Sequence, residues 1–247
     1  NTVTAGLRSV GVGLASIGLS KTAADITSTA TTSARFGTGE LHTSGAMLVS
    51  ATAKNTADVT TDTISAGLAS ADFRQPTAQI DAATTARFEG AQRGGTLSAV
   101  RAASTNIAKV EAGLISAGLV GAGAASPTAL ISSSAATTAT IAAGATVVAP
   151  NAAIDVRATA TNTATANAGA VVAGAIAVQT SEPKATVSAR TGAYLYGDVG
   201  NGASAGAASL TMSAAALDTA EANLVTRGGG IANINTARAA ATVNSAV

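Results

Sequence analysis

The stretch that decides the fold is Val156-Arg-Ala-Thr-Ala-Thr-Asn-Thr-Ala-Thr-Ala166, in which small apolar residues alternate with polar ones. Strict alternation with a period of two predicts a β-strand with one buried and one solvated face. Asn162 is the exception, because it is polar and yet in phase with the buried alanines. A buried amide in this phase indicates stacked copies of the strand whose amides bond to one another.

The same stretch recurs around three other residues, and the chain begins in the same phase. The five phase residues are Asn1, Asn55, Asn106, Asn162 and Asp218, at spacings of 54, 51, 56 and 56. A glycine follows each of them by 12 residues, and a proline follows three of them by 21. These markers are Gly13, Gly67, Gly118, Gly174, Gly230, Pro76, Pro127 and Pro183. Three markers that share one phase identify an internal repeat.

The repeat predicts an all-β protein, a parallel β-solenoid of about four and a half repeats of 51–56 residues. We treat 1–247 as one array and expect it to be a segment of a longer repeat protein. The predicted repeats are about 1–54, 55–105, 106–161, 162–217 and 218–247. Each repeat is predicted to hold three strands, in one case Val156–Ala166, Val171–Val178 and Ala185–Leu195. A variable Gly- and Ser-rich stretch, such as Gly197–Ala208, follows the third strand.

Composition restricts the shape of each coil. Aromatic residues make up 2% of the chain and charged residues 11%, and Trp and Cys are absent. Alanine must therefore fill most buried positions, so opposing layers have to lie close together. We predict flattened coils with a small-residue core and phase residues stacked at about 4.8 Å. A repeat that winds through more than one smaller turn is the alternative.

We interpret the five phase residues as a structural ladder and the eight glycines and prolines as repeat turns. A buried amide has donors and acceptors that identical neighbours above and below can satisfy. Asp218 is the member that strains this interpretation, because its carboxylate would be ionised beside Asn162. The prolines precede the third predicted strand, where a missing N–H does no harm.

The repeats also resemble a known family. Val156-Arg-Ala-Thr-Ala-Thr-Asn-Thr-Ala-Thr, Ala117-Gly-Leu, Pro183-Lys-Ala-Thr-Val and Ala193-Tyr-Leu-Tyr-Gly are similar to repeats of filamentous-haemagglutinin-like bacterial adhesins, particularly the leukotoxin-type group. The resemblance covers essentially the whole chain. It implies a right-handed β-helix that is exported by a type V or two-partner route and acts in attachment or biofilm. It offers no catalytic residues.

The sequence gives little support for catalysis. His42 is the only histidine, there is no cysteine, and the acidic residues do not recur in repeat phase. We therefore expect no enzyme activity, no cofactor and no metal site. A net charge of +1 argues against nucleic-acid binding. No apolar run reaches the length of a transmembrane helix, so no membrane span is expected.

We predict a structural shaft segment of a secreted bacterial surface adhesin or extracellular filament, located outside the cell or on its surface. The expected partners are other copies, neighbouring repeats of the same chain, or an unidentified host, cell-surface or matrix ligand. The alternative is a module that binds ice or a glycan on its Thr/Ser-rich face. The row Thr159, Thr161, Thr163 and Thr165 favours ice, but matching rows differ. Tyr194 and Tyr196 are the candidate contact site for a sugar.

Overall fold

The computed structural model describes residues 1–200 and 206–247, and these two ranges contain strands, turns and bends but no helix. The first strands are β1 (Thr2–Val12), β2 (Ala15–Ser20), β3 (Ala23–Ile26), β4 (Thr32–Phe36) and β5 (Glu40–His42). They are followed by β6 (Ala46–Arg74), β7 (Thr77–Ile80), β8 (Thr84–Phe88) and β9 (Ala91–Arg93). Next come β10 (Leu97–Ala125), β11 (Thr128–Ile131) and β12 (Ala136–Ile141). The chain continues with β13 (Thr146–Ala173), β14 (Ile176–Ser181), β15 (Lys184–Val187), β16 (Arg190–Leu195) and β17 (Asp198–Val199). The last are β18 (Ala207–Gly229), β19 (Ala232–Ala237) and β20 (Ala240–Val243).

Three parallel sheets contain most of these strands. The long strands β6, β10 and β13 pair side by side, with β1 beyond β6 and β18 beyond β13. A second sheet has the order β20-β15-β11-β7-β3, and a third has the order β16-β12-β8-β4. In every case the neighbour in the sheet is the equivalent strand of the previous or next repeat. The predicted all-β class and parallel pairing are therefore confirmed.

The prediction of three strands in each repeat was wrong. Val156–Ala166 is part of one 28-residue strand, Thr146–Ala173. The second predicted strand is split by the turn at Gly174, and Ser188-Ala189 split the third. The variable stretches also contain the short paired strands β5, β9 and β17. Alternation alone cannot show where a strand begins when the same pattern continues on both sides of it.

The long strands β6 and β10 each fold back over themselves, and β13 and β18 are followed by the separate return strands β14 and β19. Within β10 the chain reverses after Gly118, because the position of Gly123 lies against Leu114 and that of Gly121 is near Ser116. β11 and β12 then continue back over the inward face of β10. The forward arm, Leu97–Ala117, has 21 residues and is about 70 Å long. Each coil is thus a long, flat loop of two layers.

Small residues fill the space between the layers. One core cluster packs Ala108 and Val110 of the long strand against Ala129 and Ile131 of the second sheet. The other packs Val100 and Val156 against Phe88 and Ile141 of the third sheet. Burial of one valine or isoleucine side chain contributes about 1.5–3 kcal/mol. The paucity of large residues explains why the layers lie face to face instead of around an open centre.

Candidate functional site

The five phase residues lie in one row that crosses the long strands. Asn106 pairs in register with Asn55 on one side and with Asn162 on the other. All three side chains are at most 1% exposed. The Nδ2 atoms of Asn1, Asn55, Asn106 and Asn162 donate to the Oδ1 atoms of Asn55, Asn106, Asn162 and Asp218 at 2.8, 2.8, 2.7 and 2.6 Å. The row is a continuous hydrogen-bonded ladder.

All hydrogen bonds of the ladder point in the same direction along the stack, and this explains how a carboxylate can occupy the last position, Asp218. Each amide donates toward the next repeat in the chain, so Asp218 only has to accept a hydrogen bond from Asn162. A carboxylate is an acceptor and has no proton to donate when ionised. Each buried amide would otherwise leave unpaired groups that cost about 1–3 kcal/mol each.

The repeat glycines lie in a second row, at the turn where the long strand reverses. A Cβ built on Gly118 would overlap the carbonyl oxygen of Gly67, and the same overlap joins Gly174 to Gly118 and Gly230 to Gly174. None of these glycines has a positive φ. Glycine is therefore required by the close approach of stacked backbones and not by an unusual conformation.

The repeat prolines lie at the next corner. Pro76, Pro127 and Pro183 each come directly before a strand of the second sheet. Their carbonyl oxygens accept hydrogen bonds from the next repeat; for example, the Lys184 N–H donates to Pro127 at 2.9 Å. Proline lacks only the N–H, so it can occupy this corner while its carbonyl still joins two coils.

The reversing end of each coil, which we call the tip, has a mixed interior. The tip consists of residues 62–74, 113–125 and 169–181, with 8–20 and 225–237 as the equivalents at the two ends of the stack. Its interior combines a small apolar cluster, which includes Leu114 and Val172, with polar groups such as Ser70 and Ser116, whose Oγ atoms are 2.6 Å apart. Several buried polar atoms of the tip have no hydrogen-bond partner, among them Ser65 Oγ and both side-chain polar atoms of Gln179.

The outer surface of the tip is apolar. Of the twelve large apolar side chains that are exposed between Asn55 and Gly200, nine belong to the tip. They are Ile64, Leu68, Phe73, Ile115, Leu119, Val120, Val171, Ile176 and Val178. Ile115, for example, is 46% exposed. Contiguous exposed apolar surface in a folded protein marks a contact surface.

A groove of about 550 Å³ crosses the forward arm of the tip. Gly113 and Gly169 form its floor, and Ile64, Ile115 and Val171 stand in a row beside it. The Asp62 carboxylate lies over Gly113, because a Cβ at position 113 would overlap Asp62 Oδ1. Gly169 is different, since a Cβ there would come no closer than 3.8 Å to the Ala112 carbonyl oxygen. Nothing within the chain requires glycine at position 169.

One buried ion pair lies inside the tip. Arg74 Nε is 2.8 Å from Asp72 Oδ1, and the side chains are 3% and 0% exposed. Arg74 also donates to Ser9 Oγ at 2.8 Å. Burial raises the pKa of Asp72, and the neighbouring Arg74 opposes this rise. The equivalent positions in β10 are Gly123 and Ala125, so the pair belongs to one coil and is not a feature of the repeat.

The end of the coil opposite the tip is charged. Arg35 and Arg87 both contact Glu89, and Arg93 contacts Glu40. Arg101 and Asp155, in adjacent long strands, are 2.6 Å apart at their closest atoms. Arg35, with a smaller contribution from Arg87, holds the pKa of Glu89 below its ordinary value, and Arg93 does the same for Glu40. These exposed pairs add little stability individually but keep this end well solvated.

The candidate contact tyrosines lie at the end of the third sheet, with Tyr194 in β16 and Tyr196 directly after that strand. The rings of Tyr194 and Tyr196 are stacked with centroids 5.7 Å apart and an angle of 8° between their planes. The Tyr194 ring covers Gly192, because a Cβ there would overlap the phenol. Tyr196 is 63% exposed. The two rings form a small aromatic platform on an otherwise polar surface.

The threonine row does not extend across the sheet. Thr161 pairs with Thr105 on one side but with Leu217 on the other. Thr159 lies between Ala103 and Ala215 in the same way. A flat ice-binding plane needs threonine in consecutive strands, so this surface lacks the required regularity.

A cluster of side chains that could hold a metal ion is also missing from the described ranges. No group of three metal-ligating side chains occurs there. His42 lies in β5, where its Nε2 is 3.3 Å from Glu40 Oε1. The described residues include no helix that could cross a membrane.

Reasoning from the sequence missed the tip. Its signal is present in Ile64-Ser65-Ala66-Gly67-Leu68 and Ile115-Ser116-Ala117-Gly118-Leu119, where serine falls in the buried phase and isoleucine in the exposed phase. We interpreted these two segments only as markers of the repeat. Comparison of their phase with that of Asn55 or Asn106 indicates directly that serines are buried and isoleucines are exposed there.

No family model matches the chain, and neither a curated protein nor a solved structure is significantly similar to it. Its function therefore has to be inferred from the ladder, the tip and the charged end.

Proposed function

We propose that the chain is a structural shaft segment of a secreted bacterial surface adhesin or extracellular filament. The observation that carries the proposal is the asparagine ladder, which joins successive repeats by identical hydrogen bonds. A ladder of this kind needs only another copy of the same strand above or below it. Such a structure lengthens by repetition and supplies stiffness without any catalytic group.

The proposal includes a finer description of the fold. Each repeat makes one coil of a right-handed β-helix, and the chain contains about four and a half coils. The register supports one coil per repeat, because Asn55, Asn106 and Asn162 occupy adjacent strands. At about 4.8 Å per strand, five coils extend only about 24 Å along the stack. A long shaft therefore requires many more coils than this chain contains.

The location can be tested with an antibody against the 247-residue chain. We expect the antibody to label the surface of intact cells of the source organism, on structures that extend from the envelope. Labelling only after the cells are permeabilised would contradict the proposal. X-ray diffraction from aligned material tests the shaft independently, with a strong reflection at about 4.8 Å along the stack expected.

The tyrosine platform supports a second candidate function, the binding of a glycan. Aromatic rings that lie flat on a surface offer an apolar face to a sugar, and Tyr194 and Tyr196 are the only stacked tyrosines. Glycan-array binding that is lost in Tyr196→Ala but kept in the outer-face variant Thr161→Ala would support it. Equal binding by the two variants would contradict it.

A further inference from the structure

The tip combines features that a shaft alone does not explain. Its interior has only a small apolar cluster beside buried polar atoms that are partly unpaired, whereas its exterior carries most of the exposed large apolar side chains of the middle repeats. Folding normally buries such residues, and exposure of a whole row gains nothing for an isolated chain. We propose that the forward arm of the tip is a pairing surface for a second copy of this chain. The proposal rests on the proposed shaft function and names its lateral partner.

The shape of the forward arm is complementary to itself in the row of β13. Within β13, the hole at Gly169 and the projecting Val171 are two residues apart, which is about 6.6 Å along the strand. Ile115 of β10 projects in the same register, but the Asp62 carboxylate covers the position of Gly113 beside it. A two-fold axis parallel to the stacking direction, at the level of Ala170, brings Val171 of each copy opposite Gly169 of the other. Identical patches related by a two-fold axis are the usual basis of dimers.

The repeat period makes a second copy the best-fitting partner. Two stacks with the same strand spacing keep equivalent strands opposite one another, so that Val171 faces Gly169 in one row and Ile115 faces Gly113 and the Asp62 carboxylate in the next. In this arrangement the two stacks run in the same direction, and their tips overlap while the charged ends point outward. Lys109 and Glu111, whose charged groups are 2.8 Å apart, lie beside the overlap as a polar rim.

The area is sufficient for a specific but weak dimer. Five strands at about 4.8 Å and an overlap of about eight residues give about 600 Å² for each copy, or about 1,200 Å² in total. This is the lower end of the range for specific interfaces. We therefore expect a reversible dimer with a dissociation constant in the micromolar range for this chain, and tighter pairing for longer stacks.

Gly169→Val is the decisive variant. Position 169 has space for a side chain, and valine favours strands, so the fold should be at least as stable as in the wild type. The variant also adds apolar surface, so a tip that merely adheres to apolar material would associate more strongly. Pairing of projections with holes predicts the opposite, because the added side chain fills a hole. We expect the dissociation constant to rise at least ten-fold.

Sedimentation velocity of the whole chain, from about 1 to 200 µM, measures this effect. Thr161→Val is the matched control, since it places valine on the outer face of the same strand away from the tip, and it should pair like the wild type. A wild-type chain that remains monomeric throughout, or a Gly169→Val variant that pairs equally or more tightly, would overturn the inference. So would a monomer that instead co-sediments with phosphatidylcholine vesicles, which would assign the tip to a lipid surface.

The two proposals fail separately. A monomeric chain whose aligned material still gives the reflection at about 4.8 Å would overturn the pairing and leave the shaft intact. A chain that pairs as described but is found only inside cells would overturn the secreted shaft and leave the pairing.

Discussion

The tip and the rest of the coil, which we call the body, are parts of the same strands, but they bury opposite kinds of side chain. In the body, alanine and valine face inward around a satisfied row of amides. In the tip, serine and charged groups share the interior with a small apolar cluster that includes Leu114, whereas Ile64 and Ile115 face outward. The body therefore has a sufficient core of its own, whereas the tip has its apolar surface on the outside. We infer that the body holds the stack together and that the tip serves contacts between stacks.

The largest expected effect comes from breaking the buried ion pair of the tip. Arg74→Ala leaves the Asp72 carboxylate buried without its partner, which should lower the free energy of unfolding by about 3–5 kcal/mol in urea titrations. Because burial already raises the pKa of Asp72, the deficit should shrink as the pH falls and the carboxyl group is neutralised.

The control for this variant is taken from the neighbouring strand. Asp72→Gly combined with Arg74→Ala copies Gly123 and Ala125 of β10. We expect this double variant to recover most of the lost stability, because it leaves no unpaired charge. A double variant as unstable as the single one would show that the pair contributes packing and not only charge balance.

The glycine row should give the next largest effect and distinguishes two kinds of glycine. Gly118→Ala forces a methyl group onto the carbonyl of Gly67 and should destabilise the chain by about 3 kcal/mol. Gly169→Ala is the matched control, since it meets nothing closer than 3.8 Å and should stabilise the chain by up to about 1 kcal/mol. Thermal melting of both variants measures the difference. Equal losses would mean that the glycines are not packed as described.

A variant of the asparagine ladder measures the stability of the body, and a serine variant of the tip serves as its comparison. Asn106→Ala removes the acceptor of Asn55 and the donor to Asn162, and should lower stability by about 2 kcal/mol. Ser116→Ala in the tip removes a single hydroxyl contact with Ser70 and should lower it by about 1 kcal/mol or less. If Ser116→Ala lowered the free energy of unfolding more than Asn106→Ala, the asparagine ladder would not be the main stabilising row of the stack.

The smallest effect concerns the charged end. The pKa of Glu89 is below its ordinary value of 4.5 because Arg35 and Arg87 stabilise the carboxylate. Its contribution to stability is therefore complete above about pH 4.5 and is lost as the pH falls through the lowered pKa. Glu89→Gln should lose less stability than the wild type between about pH 6 and pH 3, as measured by urea titration at each pH. An unchanged pH profile would show that the ion pairs do not contribute.

The sequence predicted the parts of the fold that depend on side-chain type at a fixed phase. The glycines mark one position in all five repeats, the asparagines mark one position in four and the corner prolines mark one position in three. The length of the strands could not be predicted, because the alternation of Val156–Ala166 continues to Ala173 without a break. The return of β11 and β12 over the long strand was equally hidden, since it depends on long-range contacts between alanines that look alike in sequence.

The tip was missed for a different physical reason. Its serines and isoleucines keep the two-residue period, so the strand pattern persists while the buried phase changes its chemistry. The pairing of Asp72 with Arg74 could have been suspected from their shared phase, but burial in only one coil could not.

Hydrogen exchange within β10 tests the central claim most directly, because body and tip are compared in one strand. In dilute solution the backbone amides of residues 100–110 should exchange at least about ten-fold more slowly than those of residues 113–125, since the tip has only a small apolar cluster beside unpaired buried polar atoms and opens first. At a concentration where copies pair, the tip amides should slow while the body amides stay unchanged. Equal protection of the two segments in dilute solution would contradict the division into a self-sufficient body and a tip that needs a partner.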